Sequence, residues 1–348
     1  MPNPIAVFDG HNDTLLRLFQ EKLPLTSFVE GSGAGHIDLP RARAGGFKGG
    51  LFACFVPSVR PAGAGLPTGV RGYTAEGRTP SLEHAQRVTF ALAARLRRLE
   101  RAGALSVCRS VADIRAAMTA GRLAAVFHIE GAEAIDPELE ALEVLHAAGL
   151  RSLGPVWSRP NVFGHGVPFR FPSSPDTGPG LTEAGKALVR ACNELGIVVD
   201  LSHLNEQGFW DVAKLSTAPL VASHSNAHAL CPASRNLTDR QLDAIRESGG
   251  LVGLNFAAGF LRPDGRDDPD VPLDVLADHL DRLVDRLGID GVALGSDFDG
   301  CTVPVAIRDA AGLPRLFDHL RARGWDEPSL AKLAHENWLR VLERTWGG

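Results

Sequence analysis

The sequence predicts an α/β fold, a single (β/α)8 barrel of the TIM type built as a metal-dependent hydrolase, on three observations. Eight short apolar runs recur along its 348 residues. Most are continuous rather than alternating, as strands buried on both faces of a parallel sheet require. Helical periodicity fills most of the intervals between them. Five of the eight runs end in side chains that bind metals, and a barrel gathers such strand ends at one mouth.

The first run, Ile5–Asp9, leads into Gly10-His11-Asn12-Asp13. With a side-chain period of two, His11 and Asp13 are expected on one side, an imidazole and a carboxylate suited to a hard or borderline metal. The second run is Gly50–Val56, followed by the Gly- and Pro-rich stretch 57–80, read as a loop insertion over the active end. Ser81–Ala102 is helical, with Ala85, Val88, Leu92, Leu96 and Leu99 at spacings of three and four. A helix over Val111–Ala120 precedes the third run, Leu123–His128, which continues into Ile129-Glu130-Gly131. A helix over Pro137–Ala148 leads to the fourth run, Arg151–Trp157, and then to a second insertion, 159–180. Helix Thr182–Leu195 is followed by the fifth run, Gly196–Ser202, ending at His203. Helix Glu206–Leu215 is followed by the sixth, Leu220–Ser223, ending at His224. Thr238-Asp-Arg-Gln241 is a capping box that opens helix Thr238–Ser248. The seventh run is Gly250–Phe256, then helix Leu273–Leu287, then the eighth run, Gly291–Asp297; the tail Pro328–Arg344 is amphipathic. A doubly wound open sheet is the other architecture this alternation allows, but no Gly-x-Gly-x-x-Gly or phosphate-loop pattern follows any run.

Composition narrows the function. With 44% hydrophobic and 22% charged residues the chain has an ordinary globular make-up, and its net charge of −5 leaves no basic footprint for nucleic acid. No apolar stretch approaches the roughly 18 residues of a transmembrane helix, and neither a signal peptide nor an anchoring tail is evident, so no membrane association is expected. The cysteines at 54, 108, 192, 231 and 301 are scattered, odd in number and without a Cys-x-x-Cys pair. They are read as reduced, mostly buried residues of a cytoplasmic protein. A homodimer is the assembly such barrels often form, although no interface is legible.

The chemistry lies at the strand ends. A lone buried histidine is usually a hydrogen-bonded core residue, but buried ionisable groups at five strand ends are costly unless paired or bound to metal. His11, Asp13, Glu130, His203 and His224 are five ligands, more than one tetrahedral catalytic zinc with an open position needs. Two ions are expected, with Glu130 bridging, His11 and Asp13 completing one site and His203 and His224 the other. Two ions about 3.5–4 Å apart can share a hydroxide and clamp a tetrahedral intermediate. Imidazole with carboxylate favours zinc over magnesium and leaves manganese, cobalt and iron open. Asp297 is then the spare carboxylate, able to take the proton from the bridging water and deliver it to the leaving amine. Asp299 reads as a turn residue before Gly300. His128 shares parity with Glu130 and is either a neighbour of the site or a core histidine. His228, His279, His319 and His335, in or near helices, read as surface or capping groups.

Five motifs, Asp9-Gly-His-Asn-Asp13, Ile129-Glu-Gly131, Val199-Asp-Leu-Ser-His203, Ser223-His-Ser-Asn226 with Ala233-Ser-Arg-Asn236, and Gly295-Ser-Asp-Phe-Asp-Gly300, occur in this order. Together they resemble the membrane (renal) dipeptidase family of zinc dipeptidases, amidohydrolase-like barrels, with His36-Ile-Asp-Leu-Pro40 and Gly49-Gly-Leu-Phe52 in agreement. The resemblance implies that His11, Asp13 and Glu130 hold one zinc, and that Glu130, His203 and His224 hold the other. It also implies Asp297 as the acid/base group and Arg235 as the residue that binds the dipeptide's terminal carboxylate, in keeping with the bidentate geometry of a guanidinium. The implied activity is hydrolysis of dipeptides, including those with a D-residue at the C-terminal position. The alternative is hydrolysis of an N-acyl amino acid or cyclic amide on the same metals. The sequence departs from the family in one place. Members carry a histidine after the fourth strand that steadies the substrate carbonyl, whereas Trp157 stands there here, and Asn161 or His165 is the expected substitute.

Overall fold

Parallel strands with short connections to covering helices make up the computed structural model, which describes residues 4–58 and 79–347. The strands are β1 (Val7–Asn12), β2 (Phe47–Phe55), β3 (Leu105–Val107), β4 (Leu123–Glu130), β5 (Leu150–Gly154), β6 (Val198–Val199), β7 (Val221–Ala222), β8 (Leu251–Leu254) and β9 (Val292–Leu294). Eight of them fall on the expected runs. The additional one, β3, is three residues laid beside the start of β4 with Leu105 opposite Leu123, too short to stand out as an apolar run.

The order β1-β2-β4-β5-β6 forms one sheet and β7-β8-β9 a second. Two seams join them, each through a single parallel bridge: Asp200 with Val221 between β6 and β7, and Asn12 with Phe298 between β9 and β1. At the first seam Leu201 N–H donates to Val221 O at 2.7 Å; at the second Asp13 N–H donates to Phe298 O at 2.8 Å and Asp297 N–H to His11 O at 3.0 Å. The curled sheet thus closes into the (β/α)8 barrel that the alternation predicts.

Burial follows the two periodicities. Helix Leu82–Arg101 turns Val88, Leu92, Leu96 and Leu99 onto the outside of the sheet, and helix Leu273–Leu287 does the same with Leu276, Leu280 and Leu283. Inside the barrel, Phe8, Leu51, Ala124, Val126, Val198, Val221, Leu251 and Ala293 pack with Trp338. Along β4 the alternate residues read Ala124, Val126, His128, Glu130. That column is apolar at its amino end and ionisable at its carboxyl end, so the same strand supplies floor and chemistry. Trp338 plugs the floor: its Nε1–H donates to Leu294 O at 2.9 Å. Gly10 makes room for it, since a Cβ there would lie 2.5 Å from Trp338 Cζ2 and 2.3 Å from Ser223 O.

Of the first insertion, residues 59–78 lie outside the described residues. The second folds over the mouth: Val167 N–H donates to His203 O at 2.7 Å, Ser234 N–H to Arg170 O at 3.0 Å and Ser173 N–H to Pro232 O at 2.9 Å. All five cysteines are free, four of them buried. Among the described residues, no helix is long and apolar enough to cross a membrane.

Candidate metal centre

The carboxyl ends of the strands bring the expected ligands together. His11 sits near the end of β1, where the pairing with β2 shifts register between Asp9 and Asn12. Asp13 lies past the strand and precedes helix Thr14–Gln20, with φ −103° and ψ 24°. Their convergence, 3.6 Å from His11 Nε2 to Asp13 Oδ2, therefore comes from the turn rather than from the strand pleat. Glu130 Oε1 is 3.7 Å from His11 Nε2, 2.9 Å from His203 Nε2 and 3.4 Å from His224 Nε2. The rings of His11 and His224 stack with centroids 3.9 Å apart. Three overlapping sets of donor atoms each lie within 4.8 Å of one another: His11, Asp13 and Glu130; Glu130, His203 and His224; and His11, His224 and Asp297.

This donor set fits a metal ion. Both ring nitrogens of His11 and Oδ1 of Asp13 are buried without a hydrogen-bond partner among the described residues, a condition that ordinarily costs about 1–3 kcal/mol per group. Burial works to lower the pKa of His11, yet the charges of Glu130 and Asp13 outweigh it and hold it up at about 10. The carboxylates here call for a cation. Burial pushes His203 and His224 well below the usual histidine range, which leaves each imidazole neutral with a lone pair to give. Imidazole and carboxylate donors in this mixture suit zinc and its borderline neighbours.

Backbone strain marks the same residues. His203 has φ 71° and Asp297 φ 58°, left-handed conformations that cost a non-glycine residue roughly 1–2 kcal/mol. Surrounding contacts hold them there. Ser158 Oγ lies 2.7 Å from His203 Nδ1. Asn255 Nδ2 donates to Asp297 Oδ2 at 3.1 Å, and its Oδ1 accepts from Ala257 N–H at 2.6 Å, which fixes the amide's orientation. Burial, reinforced by the charge of Asp13, raises the Asp297 carboxyl to about 6. Asp299, also left-handed at φ 68°, is more than a turn residue. Its buried carboxylate forms an ion pair with Arg17 Nε at 3.1 Å and accepts from Thr14 Oγ1–H at 2.8 Å and His36 N–H at 2.6 Å.

Aromatic rings wall the cavity above the ligands. Phe55, Trp157, Phe169 and Phe260 line it together with Asp13, Glu130, His203 and Asp297. Trp157 stands 5.7 Å from the His203 ring and 5.0 Å from Phe55. Asn161 and His165 do not line it. The Asn161 side chain donates to Pro155 O and accepts from Phe163 N–H, at 2.9 and 2.8 Å, and His165 Nδ1 lies 3.3 Å from Gly180 O. Arg235 is buried rather than on the surface. Its Nε lies 3.2 Å from His203 Nδ1, and it donates to Ser225 Oγ at 3.0 Å and His224 O at 3.0 Å. Burial lowers it to about 10, so it remains cationic at neutral pH.

The structure corrects the reading of His279. It is buried inside the fold, accepting from Ala227 N–H at Nδ1 (3.2 Å) and donating from Nε2 to Leu261 O (3.0 Å). His128 is a core histidine one layer below Glu130, 2.9 Å from Ser152 Oγ, and burial holds it at about 3. Asn255, Ser158, Phe169 and Phe260 were not singled out from the sequence. Asn255 could have been, as a polar residue closing the seventh apolar run; Phe169 arrives from the insertion and carries no local signal.

Comparison with known proteins gives a consistent picture. The family model described as membrane dipeptidase (peptidase family M19) matches residues 2–346. A crystal structure of a metallo peptidase from Rhodobacter sphaeroides, liganded with a phosphinate mimic of the dipeptide L-Ala-D-Ala, superposes with TM-score 0.93 at 55% identity, covering 99% of this chain and 100% of that one. A dipeptidase described as a metallo peptidase of family M19 superposes with TM-score 0.91 at 55% identity, covering 99% of each chain. An uncharacterized protein in the pqqA 5′ region from Klebsiella pneumoniae is 56% identical over 245 residues, 70% of this chain and 90% of that protein.

Proposed function

This chain belongs to the membrane dipeptidase family, and on that premise we propose that it hydrolyses the amide bond of dipeptides on two zinc ions held at the Glu130 cluster. The observation that carries the reading is the overlap of the donor sets, in which Glu130 is shared by His11 and Asp13 on one side and by His203 and His224 on the other. Two ions held there would acidify a shared water into a nucleophile at neutral pH and polarise the scissile carbonyl.

Asp297 is the proton carrier in this reading. Its Oδ2 is committed to Asn255, which leaves Oδ1 to take a proton and pass it to the leaving amine. A carboxyl raised to about 6 is near the value at which such a group works best at neutral pH. Arg235 is assigned the substrate's terminal carboxylate, in keeping with its buried cation beside His203 and with the family resemblance. The aromatic wall, with Trp157 in place of a histidine, supports compact apolar side chains. The Rhodobacter relative's ligand mimics L-Ala-D-Ala, which supports a D-residue at the C-terminal position among the substrates.

The test is metal analysis of the purified chain joined to a screen of L-Ala-L-Ala, L-Ala-D-Ala and N-acetyl-alanine. The expected result is two zinc equivalents, with dipeptide turnover that a chelator abolishes and zinc restores. Faster turnover of N-acetyl-alanine than of either dipeptide would assign the site to deacylation. Absence of both metal and turnover would end the metal reading.

A further inference from the structure

The motif Val199-Asp200-Leu-Ser-His203 and the serine of Ser223-His224 contain residues that neither bind metal nor line the cavity. They lie where the β6–β7 ladder has shrunk to one bridge. Asp200, buried there, accepts from Ser202 N–H at 3.0 Å and Ser223 N–H at 2.8 Å through Oδ1. Its Oδ2 accepts from Ser223 Oγ. Ser223 Oγ is also 2.7 Å from His224 Nδ1. A hydroxyl has one proton to give. With that hydrogen bond donated to Asp200, Ser223 Oγ accepts from His224 Nδ1–H, so the lone pair of His224 is at Nε2, the atom 3.4 Å from Glu130 Oε1. Ser202 Oγ accepts from His224 N–H at 3.1 Å, so the backbone that carries the imidazole is tied to the same network.

The other seam is built alike. Asp9 accepts from Ser296 N–H at 2.7 Å and from Ser296 Oγ at 2.8 Å, and Ser296 directly precedes Asp297. Each break in the barrel is thus stapled by a buried aspartate gripping both the amide and the hydroxyl of a serine that precedes a site residue. Only the first staple continues into an imidazole: Ser296 Oγ meets the backbone of His11 and Phe298.

We propose that Asp200 and Ser223 are positioning residues that set the tautomer and aim of His224 toward a bound metal, and that Ser296 closes its seam without such a role. The proposal rests on the metal reading above. Outer partners of metal-binding histidines typically change affinity 10–100-fold when removed.

Cobalt is the probe, titrated into the chelator-stripped full-length chain and followed by competition with a chelator and by its visible absorption. The wild type is expected to take up two ions. Ser223→Ala is expected to weaken one of them 10–100-fold and shift its absorption bands, with Asp200→Asn losing the same ion. Ser296→Ala is expected to keep both within about threefold, even where its melting temperature falls. A purely structural staple would lower stability in all three variants and leave the spectrum alone. Wild-type affinity and spectrum in both Ser223→Ala and Asp200→Asn overturn the positioning role while leaving the metal centre intact. A wild type that takes up no cobalt overturns both.

Discussion

Asp297 combines three unusual properties in one side chain: a left-handed backbone, a carboxyl raised to about 6, and one oxygen committed to Asn255. Asp297→Asn keeps the size and the contact distances but removes the acid. It is expected to retain both metals and to lose about 10²–10⁴-fold in kcat, checked by metal analysis and steady-state kinetics on one dipeptide. Full turnover in that variant would remove the proton-transfer role. The residue scale is also where the sequence carries both its clearest signal and a misleading one. His11, Glu130, His203, His224 and Asp297 stood out because ionisable residues closing apolar runs are costly without a purpose. His279 departs from its expected surface or capping place, and the signal for its burial is in the sequence. It follows Leu276 by three and precedes Leu283 by four, which puts it on the apolar stripe of its own helix.

Among the elements, the connections after the strands matter as much as the strands. Arg159, on the loop after β5, pairs with Glu133 after β4 at 2.8 Å and donates to Val56 O after β2 at 2.6 Å. Its guanidinium also lies 5.2 Å from the Trp157 ring. The ion pair is buried on both sides, at 3% and 1% side-chain exposure. Removing one member leaves an uncompensated charge, so Arg159→Ala is expected to cost about 3–5 kcal/mol in urea unfolding. A loss below about 1 kcal/mol would show that the pair does not hold the three loops. Strand positions were legible because continuous apolar runs are visible without partners. β6 and β7 shrink to two residues each because Asp200 takes over hydrogen bonds that a longer ladder would supply, and no run length reveals that.

For the molecule as a whole, acid stability should bear the mark of His279. Burial lowers its pKa from 6.5 to about 4, and its two hydrogen bonds fit only the neutral ring with the proton on Nε2. Below pH 6.5 the unfolded chain takes up a proton here that the folded chain refuses until about pH 4. The residue's contribution is therefore complete above 6.5 and lost as pH falls to about 4, amounting to about 3 kcal/mol. His279→Gln, which can donate and accept in the same places, should flatten the fall in melting temperature across that window. An unchanged pH profile would contradict this. The sequence by itself determined the barrel, the order of its strands and the residue types at its mouth, since hydrophobic period and strand-end chemistry are local properties of the chain. Only the tertiary structure decided that Asp299 is a buried tie, that the insertion delivers Phe169, and that two aspartates staple the seams. Each of these depends on segments far apart in the chain meeting in space, and no local pattern records such a meeting.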